Sequence, residues 1–156
     1  MSESSPFSNL DHIGVIVKDI DKAAAYYESM GIGPFKPLGA AERSDRKLMG
    51  KPVSLESMPL AVRMAKLGAT KLELIQPLDK NGPWSDFVEK NGEGIMHLGF
   101  YVDDYEKEAA KLEAKGVPVM YSVKFNKSGG AVYFDTRKFG GFIIEILHWA
   151  PGMIQV

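Results

Sequence analysis

The sequence predicts an α+β fold in which two βαβββ modules in a pseudo-twofold arrangement form one curved mixed sheet. Two observations indicate the modules. The chain repeats itself at a distance of 85 residues, and each copy reads as a strand, a helix and a hairpin. The length is a third observation: 156 residues are enough for one domain of about 150 residues, so both modules should share it.

The internal repeat aligns residues 10–31 with residues 95–116. Nine of the 22 aligned positions are identical, which is more than a shared composition would produce. The identities include a histidine and a glycine two residues after it, namely His12 and Gly14 in the first copy and His97 and Gly99 in the second. Repeat-equivalent residues are therefore expected to face one another across a common surface.

Each copy has the same predicted order of elements. A run of β-forming residues, 13–17 or 98–102, is followed by an aspartate at the expected N-cap of a helix, Asp19 or Asp104. Apolar residues recur at helical spacing in the second copy, and Gly116 follows where a glycine would end that helix. A hairpin closes each copy, formed by 61–67 with 71–75 and by 131–134 with 142–147.

We expect the first module over residues 8–78, a linker over 79–94 that contains a short helix, and the second module over 95–150. The interval from His12 to Glu73 is 61 positions, whereas that from His97 to Glu145 is 48, so the first module carries 13 extra residues. Residues 36–59, rich in Lys, Arg, Gly, Ser and Pro, are the plausible insertion. We interpret them as a long irregular loop that serves as a functional lid.

Composition excludes several function classes. The chain has 19 Lys and Arg against 20 Asp and Glu, so its net charge of -1 gives no field for nucleic acid or an anionic membrane. There is no cysteine, which leaves histidine and carboxylate as the strong metal ligands. Neither a signal peptide nor a membrane-spanning run is recognisable, and we expect a cytoplasmic protein.

Two histidines and two glutamates occupy repeat-equivalent positions. Taken singly, each has a structural interpretation: Glu145 as a rim residue paired with a cation, Glu73 as an exposed partner of Lys71, and the histidines as hydrogen-bonded scaffold. Together they form a set of two nitrogen and two oxygen ligands suited to Zn, Ni, Co, Mn or Fe(II). The predicted metal ligands are His12, Glu73, His97 and Glu145.

Three segments carry a resemblance to a known family: LDHIGVIVKDIDKAAAYYESMGIGPF, TKLELIQPLDKNGPWSDFVEKNGEGIMHLGFYVDD and FGGFIIEILH. They resemble the vicinal oxygen chelate superfamily, and within it most closely the methylmalonyl-CoA epimerase family. The resemblance covers most of residues 8–148. It assigns the same four metal ligands and implies a homodimer and a small-molecule substrate, possibly a CoA thioester.

The resemblance implies an isomerase that uses a divalent metal ion to abstract a proton α to a carbonyl, with Glu145 as the base. The sequence departs from the epimerase pattern at two places. Asp135 begins the Asp-Thr-Arg-Lys segment found where epimerases usually carry His-Pro-Lys, and Arg63 stands where some members have a second catalytic glutamate. An arginine cannot act as that base, and Glu56 is the nearest substitute.

Arg63 could instead bind a substrate carboxylate with two parallel hydrogen bonds, or it could be a surface residue of a strand edge. Four further cations could meet the phosphates of a CoA group or could simply be solvated: Lys124, Lys127, Arg137 and Lys138.

Competing functions remain open at this point. They are a glyoxalase-type lyase, a metal-dependent dioxygenase, and a non-enzymatic protein that binds or sequesters a small molecule. The missing Asp-Pro-Asp-Gly-like turn disfavours the lyase, and the second carboxylate disfavours the dioxygenase. A binding protein would not need the four ligands.

Overall fold

A computed structural model describes residues 5–126 and 128–156. They form four helices and one mixed, ten-stranded sheet, which confirms the predicted α+β class. The helices are α1 (Ile20–Ser29), α2 (Pro83–Asn91), α3 (Tyr105–Ala114) and α4 (Arg137–Gly140). The strands are β1 (Leu10–Ile16), β2 (Lys36–Pro37), β3 (Arg43–Leu48), β4 (Lys51–Pro52), β5 (Leu60–Leu67), β6 (Thr70–Pro77), β7 (Gly94–Tyr101), β8 (Val119–Phe125), β9 (Gly130–Phe134) and β10 (Ile143–His148).

The pseudo-twofold symmetry is visible in the strand order, which is β2-β5-β6-β1-β7-β10-β9-β8-β3-β4. The two opening strands, β1 and β7, pair antiparallel at the centre. Each of them has a parallel partner on its outer side, β6 for β1 and β10 for β7. The central four strands are therefore contributed equally by the two repeats.

Helices α1 and α3 begin as the sequence predicts. The side chains of Asp19 and Asp104 each accept a hydrogen bond of 3.0 Å from the backbone N–H three residues later, which satisfies a donor of the first turn. Each helix packs on the outer face of the sheet over its own cluster of buried apolar residues. A third cluster, which includes Trp84 of α2, lies on the inner face.

Residues 36–59 differ from the predicted irregular loop because three short strands form there. Strand β3 crosses to the second repeat and pairs antiparallel with β8, with Arg46 opposite Val123. Without β3, the backbone groups of β8 would be unpaired at the sheet edge, so the crossing covers an exposed edge. The segment between β2 and β3 joins the two ends of the sheet and crosses the open side of the curve.

No helix in the described part of the chain is both long and apolar enough to cross a membrane.

Candidate metal centre and its cavity

The two central strands bring the two predicted histidines into contact. Because β1 and β7 are antiparallel, His12 lies opposite Gly99, and His97 lies opposite Gly14. A Cβ atom on Gly14 would lie 2.0 Å from Cε1 of His97, and one on Gly99 would lie 2.3 Å from Cε1 of His12. Each imidazole thus occupies the space above the other strand's glycine, which explains the His-x-Gly spacing of both repeats. Their Nε2 atoms are 3.0 Å apart.

The two glutamates reach the same point from the flanking parallel strands. Glu73 on β6 lies beside Gly14, and Glu145 on β10 lies beside Gly99. Oε2 of Glu73 is 3.3 Å from Nε2 of His12 and 3.2 Å from Nε2 of His97. Oε2 of Glu145 is 2.9 Å and 3.1 Å from the same two atoms. All four side chains are buried.

The separations among His12, His97 and Glu145 fit a single divalent cation, because one ligand atom of each lies within 4.8 Å of the other two. Glu73 lies close to both imidazoles but does not belong to that group of three. Ligand atoms about 2.1 Å from one ion lie about 3 Å apart when they occupy adjacent coordination positions, and the five measured separations run from 2.9 to 3.3 Å. Oε2 of Glu73 and Oε2 of Glu145 are buried and have no hydrogen-bond partner among the described residues. A buried carboxylate oxygen without a donor is costly unless a cation is present.

The charges of the cluster shift the pKa values of its members. Burial alone would lower the pKa of His12, but the carboxylates of Glu73 and Glu145 outweigh it and raise that pKa well above 6.5. Burial would raise the pKa of Glu145, but His12 and His97 outweigh it and lower that pKa strongly. Glu145 is therefore ionised at neutral pH, as a metal ligand or a base must be.

A buried aspartate next to the cluster orients one of the two imidazoles. Asp11 lies 2.9 Å from Nδ1 of His12 and also accepts hydrogen bonds from Trp149 Nε1 at 3.0 Å and Lys71 Nζ at 2.8 Å. This contact favours the tautomer in which Nδ1 of His12 carries the proton and Nε2 is free to bind a metal. The equivalent Nδ1 of His97 is buried without a partner among the described residues.

The cluster faces a cavity of about 340 Å³ enclosed by the curved sheet. Glu73 and Glu145 line it, together with aromatic residues and two arginines of β3, Arg43 and Arg46. Tyr133 lies across the strand pair from Glu145. Burial and the nearby Glu145 charge raise the pKa of Tyr133 well above 10, so its hydroxyl stays protonated. The cavity therefore combines anionic ligand atoms, a neutral donor and cationic groups.

Two predicted substrate-binding residues point away from this cavity. Leu60 and Val62 of β5 line it. Arg63 follows Val62 directly, so by strand alternation it faces the other side of the sheet, where Nη2 donates to Asp21 of α1 at 2.5 Å. Lys124 likewise lies on the outer face of β8 and forms an ion pair with Glu106 of α3. The structure does not bring either cation to the cluster.

The other candidates are also accounted for. Lys127 lies outside the described residues. Glu56 is exposed and is not among the described residues that line the cavity. Arg137 forms a two-pronged ion pair with Asp135, at 2.8 and 2.7 Å, beside Lys138 on α4.

Sequence reasoning missed Asp11, Arg46, Tyr133 and Trp149. Asp11 had a local signal, because an acidic residue directly before a predicted histidine ligand can accept from its second ring nitrogen. Arg46 had none, since it lies in a polar segment without a clear strand pattern.

Comparison with known proteins gives three findings. Residues 11–134 match the family model of the Glyoxalase/Bleomycin resistance protein/Dioxygenase superfamily. The mitochondrial methylmalonyl-CoA epimerase of Bos taurus is 31% identical over 140 residues, which cover 88% of this chain and 72% of that protein. The ethylmalonyl-CoA/methylmalonyl-CoA epimerase of Cereibacter sphaeroides is 30% identical over 141 residues, which cover 88% of this chain and 95% of that protein.

A solved structure supports the fold. A variant of the Streptomyces coelicolor methylmalonyl-CoA epimerase, in complex with 2-nitronate-propionyl-CoA, superimposes with a TM-score of 0.70. The match covers 96% of this chain and 99% of that chain at 23% identity. The architecture derived from the repeat is thus that of a known fold.

Proposed function

Because the chain belongs to the glyoxalase/bleomycin resistance protein/dioxygenase superfamily, we propose that it is a divalent-metal-dependent epimerase acting on an acyl-CoA thioester such as methylmalonyl-CoA. The observation that carries the proposal is the convergence of His12, Glu73, His97 and Glu145, of which the two glutamates line one cavity. The names of the relatives support the substrate class, since two of them are epimerases of alkylmalonyl-CoA thioesters.

The reaction needs an acidic α-proton and a base. His12, His97 and Glu145, with Glu73 as a fourth ligand, would hold a divalent ion, and its positive charge would stabilise the negative charge that develops on the substrate carbonyl oxygen. Glu145 is ionised, and we assign to it the removal of the α-proton. Aromatic side chains line the cavity around these groups, among them Trp84, Tyr133 and Trp149.

Epimerisation also requires a group that returns a proton to the opposite face of the α-carbon. Among the described residues that line the cavity, the carboxylates are Glu73 and Glu145. Glu73 is the pseudo-twofold counterpart of Glu145, on the other side of the two histidines. We therefore assign proton return to Glu73, which would carry a proton while Glu145 is ionised, so that one carboxyl group gains a proton as the other gives one up. Glu56 is exposed and position 63 carries an arginine that faces α1, so neither takes this part.

The test is α-proton exchange by the metal-reconstituted protein with methylmalonyl-CoA in heavy water, followed by NMR, together with interconversion of the two epimers. Glu145→Gln should reduce exchange of one epimer by about 10²–10⁴-fold. Glu73→Gln should retain that exchange but lose interconversion. Glutamine can still ligate through its carbonyl oxygen, so metal content is measured for each variant.

Glu113→Gln, an exposed substitution on α3, is the matched control and should behave as the wild type. Wild-type protein that holds a stoichiometric metal ion yet exchanges no α-proton would refute the proposed reaction. Full exchange by Glu145→Gln would remove Glu145 from it.

A further inference from the structure

Arg46 is a buried cation, and the part of the chain that the structure describes holds no acidic partner for it. Only 2% of its surface is exposed, and among the described residues no aspartate or glutamate forms an ion pair with it. Buried charges are normally paired, because the loss of hydration is otherwise uncompensated. The other buried charged groups of the site have counter-charges: Asp11 has Lys71, and the two glutamates have the imidazoles.

Arg46 has an incomplete set of hydrogen bonds. Nε donates to the hydroxyl of Tyr121 at 2.7 Å, and Nη1 donates to the backbone oxygens of Ser54, Leu55 and Ser57 at 3.1, 2.9 and 2.6 Å. Those contacts hold the guanidinium in one orientation over the Tyr121 ring, 5.4 Å from its centroid. No partner of Nη2 is found in the described part of the chain. A preorganised cation thus retains a free pair of donors.

The side chain lines the same cavity as the metal-ligand cluster. Arg46 pairs with Val123 across β3 and β8, and cross-strand partners share a face of the sheet. Both residues line the cavity with Glu73 and Glu145. The ionised glutamate of the cluster would offset part of the charge of a divalent ion but none of that of Arg46, which remains a positive charge on the buried part of the wall.

We propose that Arg46 binds the carboxylate of the acyl group, and that it selects acyl thioesters carrying a second, free carboxylate over those with a neutral group. This inference rests on the proposed function and takes over the part that the sequence suggested for Arg63. A planar guanidinium with a free nitrogen edge is suited to carboxylate oxygens. Charge balance gives the selectivity, because a neutral acyl group would leave the cation uncompensated.

A phosphate of the CoA group has the same anionic oxygens, but the location of Arg46 favours the acyl carboxylate. A residue that is 2% exposed is reached only through the cavity. The volume of about 340 Å³ is at the lower end of the range of about 300–1,000 Å³ that drug-sized ligands occupy, so it suits an acyl group and part of the pantetheine rather than the nucleotide.

The test is a comparison of ligands by isothermal titration calorimetry on the metal-reconstituted protein. Methylmalonyl-CoA is compared with isobutyryl-CoA, which has a methyl group in place of the carboxylate, and with methylmalonyl-pantetheine, which lacks the nucleotide phosphates. Arg46→Gln should raise the Kd of both carboxylate ligands by about 10–100-fold and change the Kd of isobutyryl-CoA by no more than about twofold. Arg63→Gln, which removes an outward-facing arginine, should change none of the three.

A purely structural Arg46, which only anchors residues 54–57, predicts equal losses for all three ligands, and that result would overturn the proposal. So would unchanged binding, or a loss confined to the two CoA thioesters, which would assign Arg46 to phosphate. If Arg46→Gln fails to fold, Arg46→Lys keeps the charge but loses the planar fork and should reduce the carboxylate preference about 3–10-fold. An unaltered preference would contradict the proposal.

The same experiment separates this inference from the proposed function. If the wild-type protein prefers methylmalonyl-CoA to isobutyryl-CoA through Arg46 but exchanges no α-proton, the carboxylate subsite is supported and the epimerase activity is refuted. If the wild-type protein exchanges the α-proton without any preference for the carboxylate, the epimerase activity is supported and the carboxylate subsite is refuted.

Discussion

Replacing Gly14 by alanine should displace one of the two imidazoles on which the candidate metal centre depends. The new Cβ would lie 2.0 Å from Cε1 of His97, whereas ordinary contact begins at 3.4 Å, so the ring or the strand must move by about 1.4 Å. For Gly99→Ala the corresponding distance to His12 is 2.3 Å and the required movement about 1.1 Å. Metal–ligand distances tolerate only about 0.2 Å.

We therefore expect both alanine variants to lose stoichiometric metal binding, measured by competition with a chromogenic chelator. Overpacking costs about 1–3 kcal/mol. At about 2–4 °C per kcal/mol for a chain of this size, calorimetry should show a fall of about 2–12 °C in the Tm of the metal-free protein. Gly140→Ala is the control, because its nearest neighbour lies 3.9 Å from the added Cβ. Wild-type metal affinity in Gly14→Ala would refute the steric argument.

Three further predictions concern the surroundings of the cluster. Asp11→Asn should weaken metal binding by about 10–100-fold, because the tautomer of His12 is no longer enforced; chelator competition that finds wild-type affinity would contradict this. In the metal-free protein the raised pKa of His12 contributes stability that is fully present below about pH 6.5 and is lost as the pH rises through the folded-state pKa. Urea unfolding should therefore give an unfolding free energy that falls over this pH range in the wild type and falls less in His12→Gln; an equal fall in both would contradict the prediction. Arg63→Gln should change the unfolding free energy by no more than about 1 kcal/mol, since its ion pair is on the surface, and a larger loss in urea unfolding would show that the pair is structural.

The candidate centre could be predicted because the repeat carries long-range information. Equivalent residues of a duplicated module meet at the pseudo-twofold axis, so the pairing of positions 12 and 97 brought two imidazoles together without any knowledge of strand order. The apolar surroundings of Glu145 indicated burial, which the structure has. The role of the two histidines and two glutamates as metal ligands stays a prediction.

The orientation of the predicted substrate-binding cations was harder to predict from the sequence, and Arg63 shows why. Around Arg63 both faces of the strand read as apolar, since Ala61, Val62 and Met64 surround it, and alternation does not tell which face meets the cavity. The outward orientation of Lys124 could be predicted, because the apolar Tyr121 and Val123 alternate with polar residues along this strand.

Arg46 could not be predicted because its place depends on the pairing of β3 with β8, between the two repeats. That contact joins segments about 75 positions apart, and the polar sequence of β3 carries no hydrophobic alternation that would indicate a strand. Its charge becomes informative only when its burial and its missing acidic partner are known.

The most direct test of the proposed metal centre is the divalent metal content of the purified protein after reconstitution, determined by inductively coupled plasma mass spectrometry. We expect one ion per chain in the wild type and none in the His12→Ala/His97→Ala double variant. Protein that takes up no stoichiometric ion, or a double variant that still holds one, would contradict a metal centre built from the two repeats.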